Sequence, residues 1–410
     1  MKMTMPSVCP TFLVHLPHPL KHYSFFDIGE SAIYEDDAAI FTLLEKVATT
    51  SYLPANRIIL KRIKEYKGDF RVSFSLSGTT LDQLERFRPE VLDSFKRLAD
   101  TGYVEFVCEP YFHSLAFLFS MLEFREQVEL HQQKMVSLFG QHPTAFINTE
   151  LIYNDDVGHE AEGLGFAVIL AKGTKGLLEG RPQNRVFQPD SSATLKLMLS
   201  NHDLSSKISA LISGPSDPKN RLTAALFAQH LEPTQETSNV ITWLLDLEIF
   251  GESSLHDTGA LEFLDQLPGA MLARNGVRFE TLTQAAKHRK TAESISSPGF
   301  TSWEEAERKF PEWVGNEMQK DALHALYLME QEVKAHHNPA MLQTWRNLQT
   351  SDHFRYMRTA QLDEDVLIKA TNPFHSPYDA YINFMNVLTD FSERLSAPPP
   401  QRKTNRGSES

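Results

Sequence analysis

The sequence predicts an α/β protein in which a large parallel-strand domain precedes a helical domain. Three observations lead to this prediction. Apolar or alternating runs typical of strands recur up to residue 251, and amphipathic segments typical of helices separate them. A break rich in Ser, Pro and Gly at 294–305 ends the alternation, and helical periodicity then continues to residue 395. Repeated β/α units favour a barrel or a large doubly wound sheet.

Six runs are interpreted as strands of the first domain. They are TFLVHL (11–16), FRVSFSLSG (70–78), YVEFVCE (103–109), TAFINTE (144–150), FAVILAKG (166–173) and ITWLLDLEIFG (241–251). Two amphipathic segments between them predict helices. LDQLERFRPEVLDSFKRLAD precedes the third strand, and EFREQVELHQQKMVSLFG precedes the fourth and should end at Gly140. The sequence has no internal repeat, heptad array or glycine-rich phosphate loop.

The chain is expected to divide into four successive regions. They are a barrel over residues 1–293, a linker over 294–302, a helical domain over 303–395 and a disordered tail over 396–410. Ser302 and Glu305 form a capping-box pattern where the helical domain begins. ALHALYLMEQEVKAH has the clearest helical period, which predicts a helical bundle packed on the barrel. The tail SAPPPQRKTNRGSES lacks apolar residues that could pack.

Composition excludes several classes of protein. The chain has 410 residues, a formal net charge of −13 and 41% hydrophobic residues, which is typical of a globular protein and unlike a nucleic-acid or polybasic membrane-surface binder. Two cysteines, Cys9 and Cys108, are too few for a disulfide scaffold or a CxxC zinc module, so a reducing compartment is expected. No run is apolar enough for a signal peptide or membrane span, which predicts a cytoplasmic protein.

Two acids interrupt the apolar run ITWLLDLEIFGES at 241–253. If this run is extended, Asp246 and Glu248 point to the same face, because side chains at i and i+2 share a face of a strand. Isolated buried charge is costly. The pair therefore predicts polar partners, a metal or a cleft in which the titration of the two acids is used.

Histidines follow the first and third predicted strands. Two prolines interrupt VHLPHPLKH, so no helix could present His15, His18 and His22 together, and surface or hydrogen-bonding roles are favoured over a metal site built from this segment. His113 in EPYFHSL could join His15 above the barrel. Two interpretations of that pair remain open, a zinc site and neutral donors to sugar hydroxyls.

The segment FINTELIYNDD supplies a third candidate carboxylate. Asn148 and Glu150 should share one face of the fourth strand, while Asp155 and Asp156 are expected to begin a helix. Glu150 could be a salt-bridge partner at the barrel rim or a catalytic group. Glu150 and Asp246, on two different strand ends, could form the acid pair of a retaining glycosidase, in which the carboxyl groups are roughly 5–5.5 Å apart. In an inverting glycosidase the two carboxyl groups are further apart.

Five segments, in order and spacing, resemble the conserved regions of glycoside hydrolase family 57, an α-amylase-like family. They are TFLVHLPHPLKHYSFFDIG, EPYFHSLAF, INTELIYNDDVG, LDLEIFGE and WRNLQTSDHFRYM. The resemblance runs from about Phe12 to Leu395 and is closest to the shorter bacterial α-amylase-like members. It implies an incomplete (β/α)7 barrel followed by a C-terminal α-helical bundle, a retaining mechanism on α-glucans, and no required metal or other cofactor.

The resemblance also implies roles for individual residues. By motif position, Glu150 would be the nucleophile and Asp246 the acid/base. Substrate-binding roles would fall to His15, Glu109, His113, Glu248 and Asp352, with Asp352 reaching the cleft from the helical domain. Glu248 would also help Asp246 to hold its proton, since like charges resist joint ionisation. The expected partner is an α-glucan or maltooligosaccharide, and the sequence predicts no nucleic-acid or membrane partner.

Six positions depart from the family pattern close to these residues. They are Leu16, Lys172, Leu247, Ile249, Ser253 and Arg355. Lys172 stands where a glutamate is common, and Arg355 replaces an aromatic residue. The segment LSSKISALIS at 204–213 has lost the acids and aromatics of a similar family stretch. Both acids, Glu150 and Asp246, are kept. The changes predict that the sugar-contacting residues around them are remodelled.

Three functions remain open on the sequence. The first is a retaining α-glucan hydrolase or transglycosylase, and the second is a catalytically impaired glucan-binding homologue. The third is a metal-dependent deacetylase-like enzyme that uses His15, His113 and an aspartate as ligands. Three tryptophans of the helical region, Trp303, Trp313 and Trp345, are assigned to packing before sugar stacking.

Overall fold

The computed structural model describes residues 6–213, 223–230, 240–251, 259–273, 277–301, 311–359 and 372–397. The strands in chain order are β1 (Ser7–Val14), β2 (Val72–Leu76), β3 (Val104–Val107), β4 (Ala145–Ile147), β5 (Val168–Lys172), β6 (Val186–Pro189), β7 (Lys196–Ser200), β8 (Val240–Asp246), β9 (Arg278–Phe279) and β10 (Ser294–Ile295).

Seven of these strands close into a parallel ring in the order β1, β2, β3, β4, β5, β7, β8 and back to β1. Two joints of the ring are short. Strands β3 and β4 meet through a bridge between Cys108 and Phe146, and β7 pairs with β8 only at Ser200 and Thr242. The short strands β6, β9 and β10 are additions to β7, β1 and β6 respectively.

Helices surround the ring and follow it. They are α1 (Asp37–Val47), α2 (Leu53–Tyr66), α3 (Gly78–Phe87), α4 (Pro89–Ala99), α5 (Ala116–Phe119), α6 (Met121–Phe139), α7 (Asp155–Gly163), α8 (Lys175–Leu178), α9 (His202–Ser213), α10 (Ala224–His230), α11 (Ala260–Leu272), α12 (Leu282–His288), α13 (Pro311–Val314), α14 (Glu317–Leu328), α15 (Glu330–Ala335), α16 (Pro339–Asn347), α17 (Ser351–Arg355) and α18 (Pro377–Ser396). A π-helix covers Ala48–Tyr52, and 3-10 turns cover Phe25–Asp27, Thr149–Leu151 and Leu247–Phe250. Within the parts of the chain described here, no helix is both long and apolar enough to cross a membrane.

Alternate residues of the ring strands face its interior, as the two-residue period of a strand requires. On β1, Cys9 lies in the small core inside the ring, whereas Val8 and Phe12 pack outward under the helices. On β8, Val240 lies inside while Trp243 packs outward. Because both faces of a barrel strand are covered, these strands read as nearly continuous apolar runs.

All six predicted strands are present with adjusted ends, and the seventh ring strand, β7, was not predicted. The run at 241–251 is a strand only as far as Asp246. The helix predicted over 81–100 is two helices, α3 and α4, because Pro89 follows Arg88 and disfavours a helical conformation there. Helix α6 ends at Gly140, which has a left-handed φ of 65°, as predicted.

The carboxyl-terminal helices pack on the ring through one continuous apolar core. Phe146 of β4 and Ile169 of β5 belong to the same cluster as Trp345, Phe354 and Leu388. Strand β10 lies within the segment predicted as a linker and pairs with β6. The predicted capping box at 302–305 and nearly all of the predicted tail lie outside the described residues.

A buried ion pair also joins the two regions. Glu123 of α6 has no exposed side-chain surface, and its carboxylate accepts hydrogen bonds of 2.8 and 3.1 Å from Arg346 of α16. Lys334 Nζ lies 2.9 Å from the same carboxylate. Removing one member of a buried pair leaves the other charge without full compensation, so the loss of Arg346 should cost more than the loss of one member of a surface pair.

We predict that Arg346→Met lowers the free energy of unfolding by about 3 kcal/mol, because Glu123 then keeps only one close cation in a buried site. The matched control is Arg125→Met, which removes a half-exposed arginine paired with Glu160 and should cost less than about 1 kcal/mol. Urea unfolding followed by circular dichroism measures both variants. Equal shifts of the urea midpoint in the two variants would contradict the larger cost expected at the buried pair.

Candidate active site

Helix α17 brings the carboxylate of Asp352 to the carboxyl end of β1. Asp352 Oδ2 lies 2.9 Å from His15 Nε2, and His15 Nδ1 lies 2.8 Å from Ser77 Oγ, which follows β2. Burial alone would raise the pKa of Asp352, but the charge and hydrogen bond of His15 hold it well below its usual range. His15 is therefore fixed by contacts from both sides.

His113 stacks on His15, with ring centroids 3.9 Å apart, and lies between two carboxylates. Its Nδ1 is 3.4 Å from Glu109 Oε1, and its Nε2 is 3.7 Å from Glu150 Oε1. Ser75 Oγ donates a further 2.5 Å hydrogen bond to Glu109. The four side chains predicted on strands β1, β3 and β4 are thus brought together as one charged cluster.

The cluster shifts the pKa of His113, Glu109 and Glu150. Burial would lower the pKa of His113, but its hydrogen bond with Glu109 and the nearby charges of Glu109 and Glu150 raise it to about 10. Burial would raise the pKa of Glu109 and of Glu150, but the interaction with the nearby His113 lowers both. At neutral pH the cluster therefore holds a cationic imidazolium between two ionised carboxylates.

The backbone around Glu150 is strained. Glu150 and Leu151 have φ values of 56° and 58°, in the left-handed region that costs a residue with a side chain roughly 1–2 kcal/mol. The expected common strand face of Asn148 and Glu150 is wrong, because β4 ends at Ile147 and a turn follows. The Asn148 side chain donates a 3.0 Å bond to the carbonyl of Ile152 and closes that turn.

Arg355 is a site residue that the sequence indicated only as a departure from the family pattern. It lies three residues after Asp352 on α17, so both side chains project from the same side of the helix. Arg355 Nη1 is 3.7 Å from Glu150 Oε1, and its Cζ is 5.8 Å from the ring centroid of Trp313. Its charge lowers the pKa of Glu150 further.

Asp246 ends β8, beside β1. Its Cα partner across the ladder is Leu13, two residues before His15. Val240 and Leu244 contact the core inside the ring, and the two-residue period therefore directs Asp246 to the ring interior at the barrel mouth. Asp246 is exposed, whereas most of the side chains that precede it on the strand are buried.

The expectation that Glu248 faces the cleft together with Asp246 is wrong. The chain turns after Asp246 into the 3-10 segment Leu247–Phe250, so the period of a strand no longer applies. Glu248 is 2% exposed and accepts a hydrogen bond from the hydroxyl of Tyr52. The pKa of Tyr52 is raised by burial and by the charges of Glu248 and Asp246. Its hydroxyl therefore stays protonated and donates to Glu248.

The departures from the family pattern divide into two groups. Leu16, Leu247 and Ile249 are buried in the core between the ring and its helices, so they change packing rather than a sugar-contacting surface. Lys172, at the end of β5, and Arg355 are cations at the carboxyl end of the ring. Leu204 and Ile208 of the 204–213 segment are likewise buried in that core. Ser253 lies outside the described residues.

Where the structure describes them, the other histidines and tryptophans singled out in the sequence are not part of the charged cluster. His18 Nε2 is 3.1 Å from Glu35, and His22 is exposed, as expected for hydrogen-bonding and surface roles. Trp313 and Trp345 are buried, and Trp303 lies outside the described part of the chain. Across the described ranges, no group of three or more His, Cys, Asp or Glu side chains is arranged to hold a metal ion.

The chain matches the glycosyl hydrolase family 57 over residues 11–298 and belongs to that family. A protein of Methanocaldococcus jannaschii with the name "Putative alpha-amylase" is 32% identical over 415 residues, which cover 96% of this chain and 86% of the relative. Family membership supports a glycoside hydrolase or transferase function, as the sequence predicted.

Two solved structures confirm the predicted fold. A GH57-type branching enzyme from Pyrococcus horikoshii superposes with a TM-score of 0.66 at 14% identity, covering 95% of this chain and 94% of the enzyme. A 4-alpha-glucanotransferase from Thermococcus litoralis gives a TM-score of 0.61 at 14% identity, covering 85% of this chain and 56% of the enzyme. At these identities the likeness concerns the fold alone, an incomplete (β/α)7 barrel followed by helices.

We predict that His113 is doubly protonated at pH 8, because Glu109 and Glu150 flank its two ring nitrogens. Long-range ¹H–¹⁵N NMR of the ring nitrogens measures this state. Glu109→Gln should lower the pKa of His113 by about one unit or more. A wild-type midpoint near 6.5 would show that the two carboxylates do not hold the proton.

Stability should also depend on His113. Because the folded-state pKa of His113, about 10, lies above the unfolded value, its contribution is complete below about pH 6.5 and is lost as pH rises towards 10. His113→Gln should therefore lower the unfolding free energy at pH 7 and weaken its decline between pH 7 and 9.5. Urea midpoints across that range measure the effect, and parallel curves for both proteins would exclude it.

Proposed function

We propose that the protein is a retaining α-glucan hydrolase or transglycosylase with Glu150 as nucleophile and Asp246 as acid/base. One observation carries the proposal: an ionised, partly exposed carboxylate stands at the end of β4, and an exposed carboxylate ends β8. In the ring order, β5 and β7 separate β4 from β8 on one side. The two acids therefore come from opposite parts of the barrel mouth.

The surroundings of Glu150 suit a nucleophile. A carboxylate must be ionised to attack an anomeric carbon, and His113 and Arg355 both favour the ionised form of Glu150. Both cations lie close to Oε1. The Glu150 side chain is 20% exposed, so it can be reached from the barrel mouth.

In the first step, an oxygen of Glu150 forms a bond to the anomeric carbon while Asp246 gives its proton to the departing glycosidic oxygen. The ionised Asp246 then takes a proton from an incoming hydroxyl, which displaces Glu150. Water as that acceptor gives hydrolysis, and a sugar hydroxyl gives transfer. His15, held at both ring nitrogens by Ser77 and Asp352, stands beside this path.

The proposed substrate is an α-glucan, because the similar proteins have the names of an amylase, a glucanotransferase and a branching enzyme. The alternative of a catalytically impaired glucan-binding homologue loses part of its basis, since Leu16, Leu247 and Ile249 are buried in the core. Binding of oligosaccharides without any turnover would favour that alternative.

We predict that Glu150→Gln lowers kcat on maltooligosaccharides by about 10³-fold or more, because the amide cannot form the glycosyl-enzyme. Glu160→Gln is the matched control. It makes the same substitution at the exposed pair with Arg125 and should keep full activity. Chromatography of the products from a panel of α-glucans measures turnover and separates transfer from hydrolysis.

The anomer released first, followed by ¹H NMR, tests the stereochemistry, and retention of the α configuration is expected. Unchanged turnover in Glu150→Gln, or a first-formed β anomer, would overturn the assignment.

A further inference from the structure

We propose that Arg355 is a positioning residue for Glu150: from helix α17 it holds one carboxylate oxygen of Glu150 and keeps the group ionised and oriented for attack. This inference rests on the proposed function of Glu150 as nucleophile. It assigns a role to a residue that stands where the family commonly has an aromatic side chain.

Geometry is the first support. Arg355 Nη1 and His113 Nε2 each lie 3.7 Å from the same oxygen, Oε1 of Glu150. The two cations approach from different parts of the protein, because His113 follows β3 whereas Arg355 belongs to the carboxyl-terminal helices. Two cations beside one oxygen favour the carboxylate orientation that turns this oxygen towards them.

The second support is the way in which α17 itself is fixed. The backbone N–H of Ser351 donates a 3.1 Å bond to the carbonyl of His113, and Ser114 forms a bridge with Thr350. Asp352, on the same side of the helix as Arg355, contacts His15 at 2.9 Å. One short helix therefore delivers an anion to a histidine and a cation to a carboxylate, and both partners belong to the cluster at the barrel mouth.

Arginine fits this position better than the aromatic ring that it replaces. Its side chain is 18% exposed, and its guanidinium lies 5.8 Å from the ring centroid of the buried Trp313. A guanidinium stays charged at every relevant pH and packs against an aromatic face. The position thus offers the nucleophile a permanent charge, whereas a ring would offer a sugar a stacking surface.

The test measures the carboxyl group of Glu150 itself, by ¹³C NMR titration of protein labelled at glutamate Cδ, with Glu150→Gln to assign the signal. Arg355→Met keeps an apolar stem against Trp313 and removes the charge. We expect the titration midpoint of Glu150 to rise by about one pH unit in this variant. Arg355→Lys should keep most of the wild-type midpoint, and the control Arg125→Met should keep all of it.

Kinetics supply a second measurement in the same proteins. Arg355→Met should move the acidic limb of kcat/KM to higher pH and lower kcat more than tenfold, with a smaller change in KM. Arg355→Lys should recover part of the loss in kcat. If Arg355→Met does not fold, Arg355→Gln takes its place with the same expectations.

Coinciding midpoints of Glu150 in the wild type and the neutral variant would overturn the role of Arg355, whatever the activity. A wild-type protein without turnover on any α-glucan would overturn the proposed function instead. The carboxyl titration would then still decide whether Arg355 holds Glu150.

Discussion

The contact of His113 with two carboxylates is the interaction on which the site depends. Three acids, Glu109, Glu150 and Asp352, lie close together in partly or fully buried surroundings, where uncompensated charge would be costly. The stacked rings of His15 and His113 stand between them, so each acid has a histidine partner. Without the proton on His113, Glu109 and Glu150 would lose the cation that they share, and the pKa of both carboxyl groups would rise.

The strained backbone at Glu150 follows from the same arrangement. A strand that continued past Ile147 would alternate its side chains between the ring interior and the outer helices. The left-handed turn at Glu150 and Leu151 instead places the carboxylate beside His113, and the Asn148 side chain holds the turn closed. Such conformations persist where the surroundings fix them, and they are frequent at functional sites. His113 has a left-handed φ of 49° as well, so both partners of this contact occupy unusual backbone conformations.

The apolar runs predicted repeated parallel β/α units, because buried parallel strands are apolar on both faces, and the family resemblance then specified the barrel. The end of α6 was predictable because Gly140 tolerates a left-handed conformation. Strand β7 escaped prediction since Lys196–Ser200 is short and rich in leucine and methionine, which do not distinguish strand from helix. The grouping of His15, Glu109, His113 and Asp352 followed from strand ends and motif positions. The contacts of Glu248 and Arg355 could not be predicted. Those of Glu248 depend on a turn after β8, and those of Arg355 depend on the tertiary placement of α17.

The two short joints of the ring have a mechanical consequence. They divide the barrel into one arc of β4, β5 and β7 and another of β8, β1, β2 and β3. Glu150 is carried by the first arc and Asp246 by the second, so the gap between the two carboxylates depends on how the arcs meet. Few backbone hydrogen bonds cross the two seams, and small hinge-like openings there would alter the gap between the acids before they disturbed either arc. The separation of the two acids is therefore governed by the two places where the sheet has the fewest backbone hydrogen bonds.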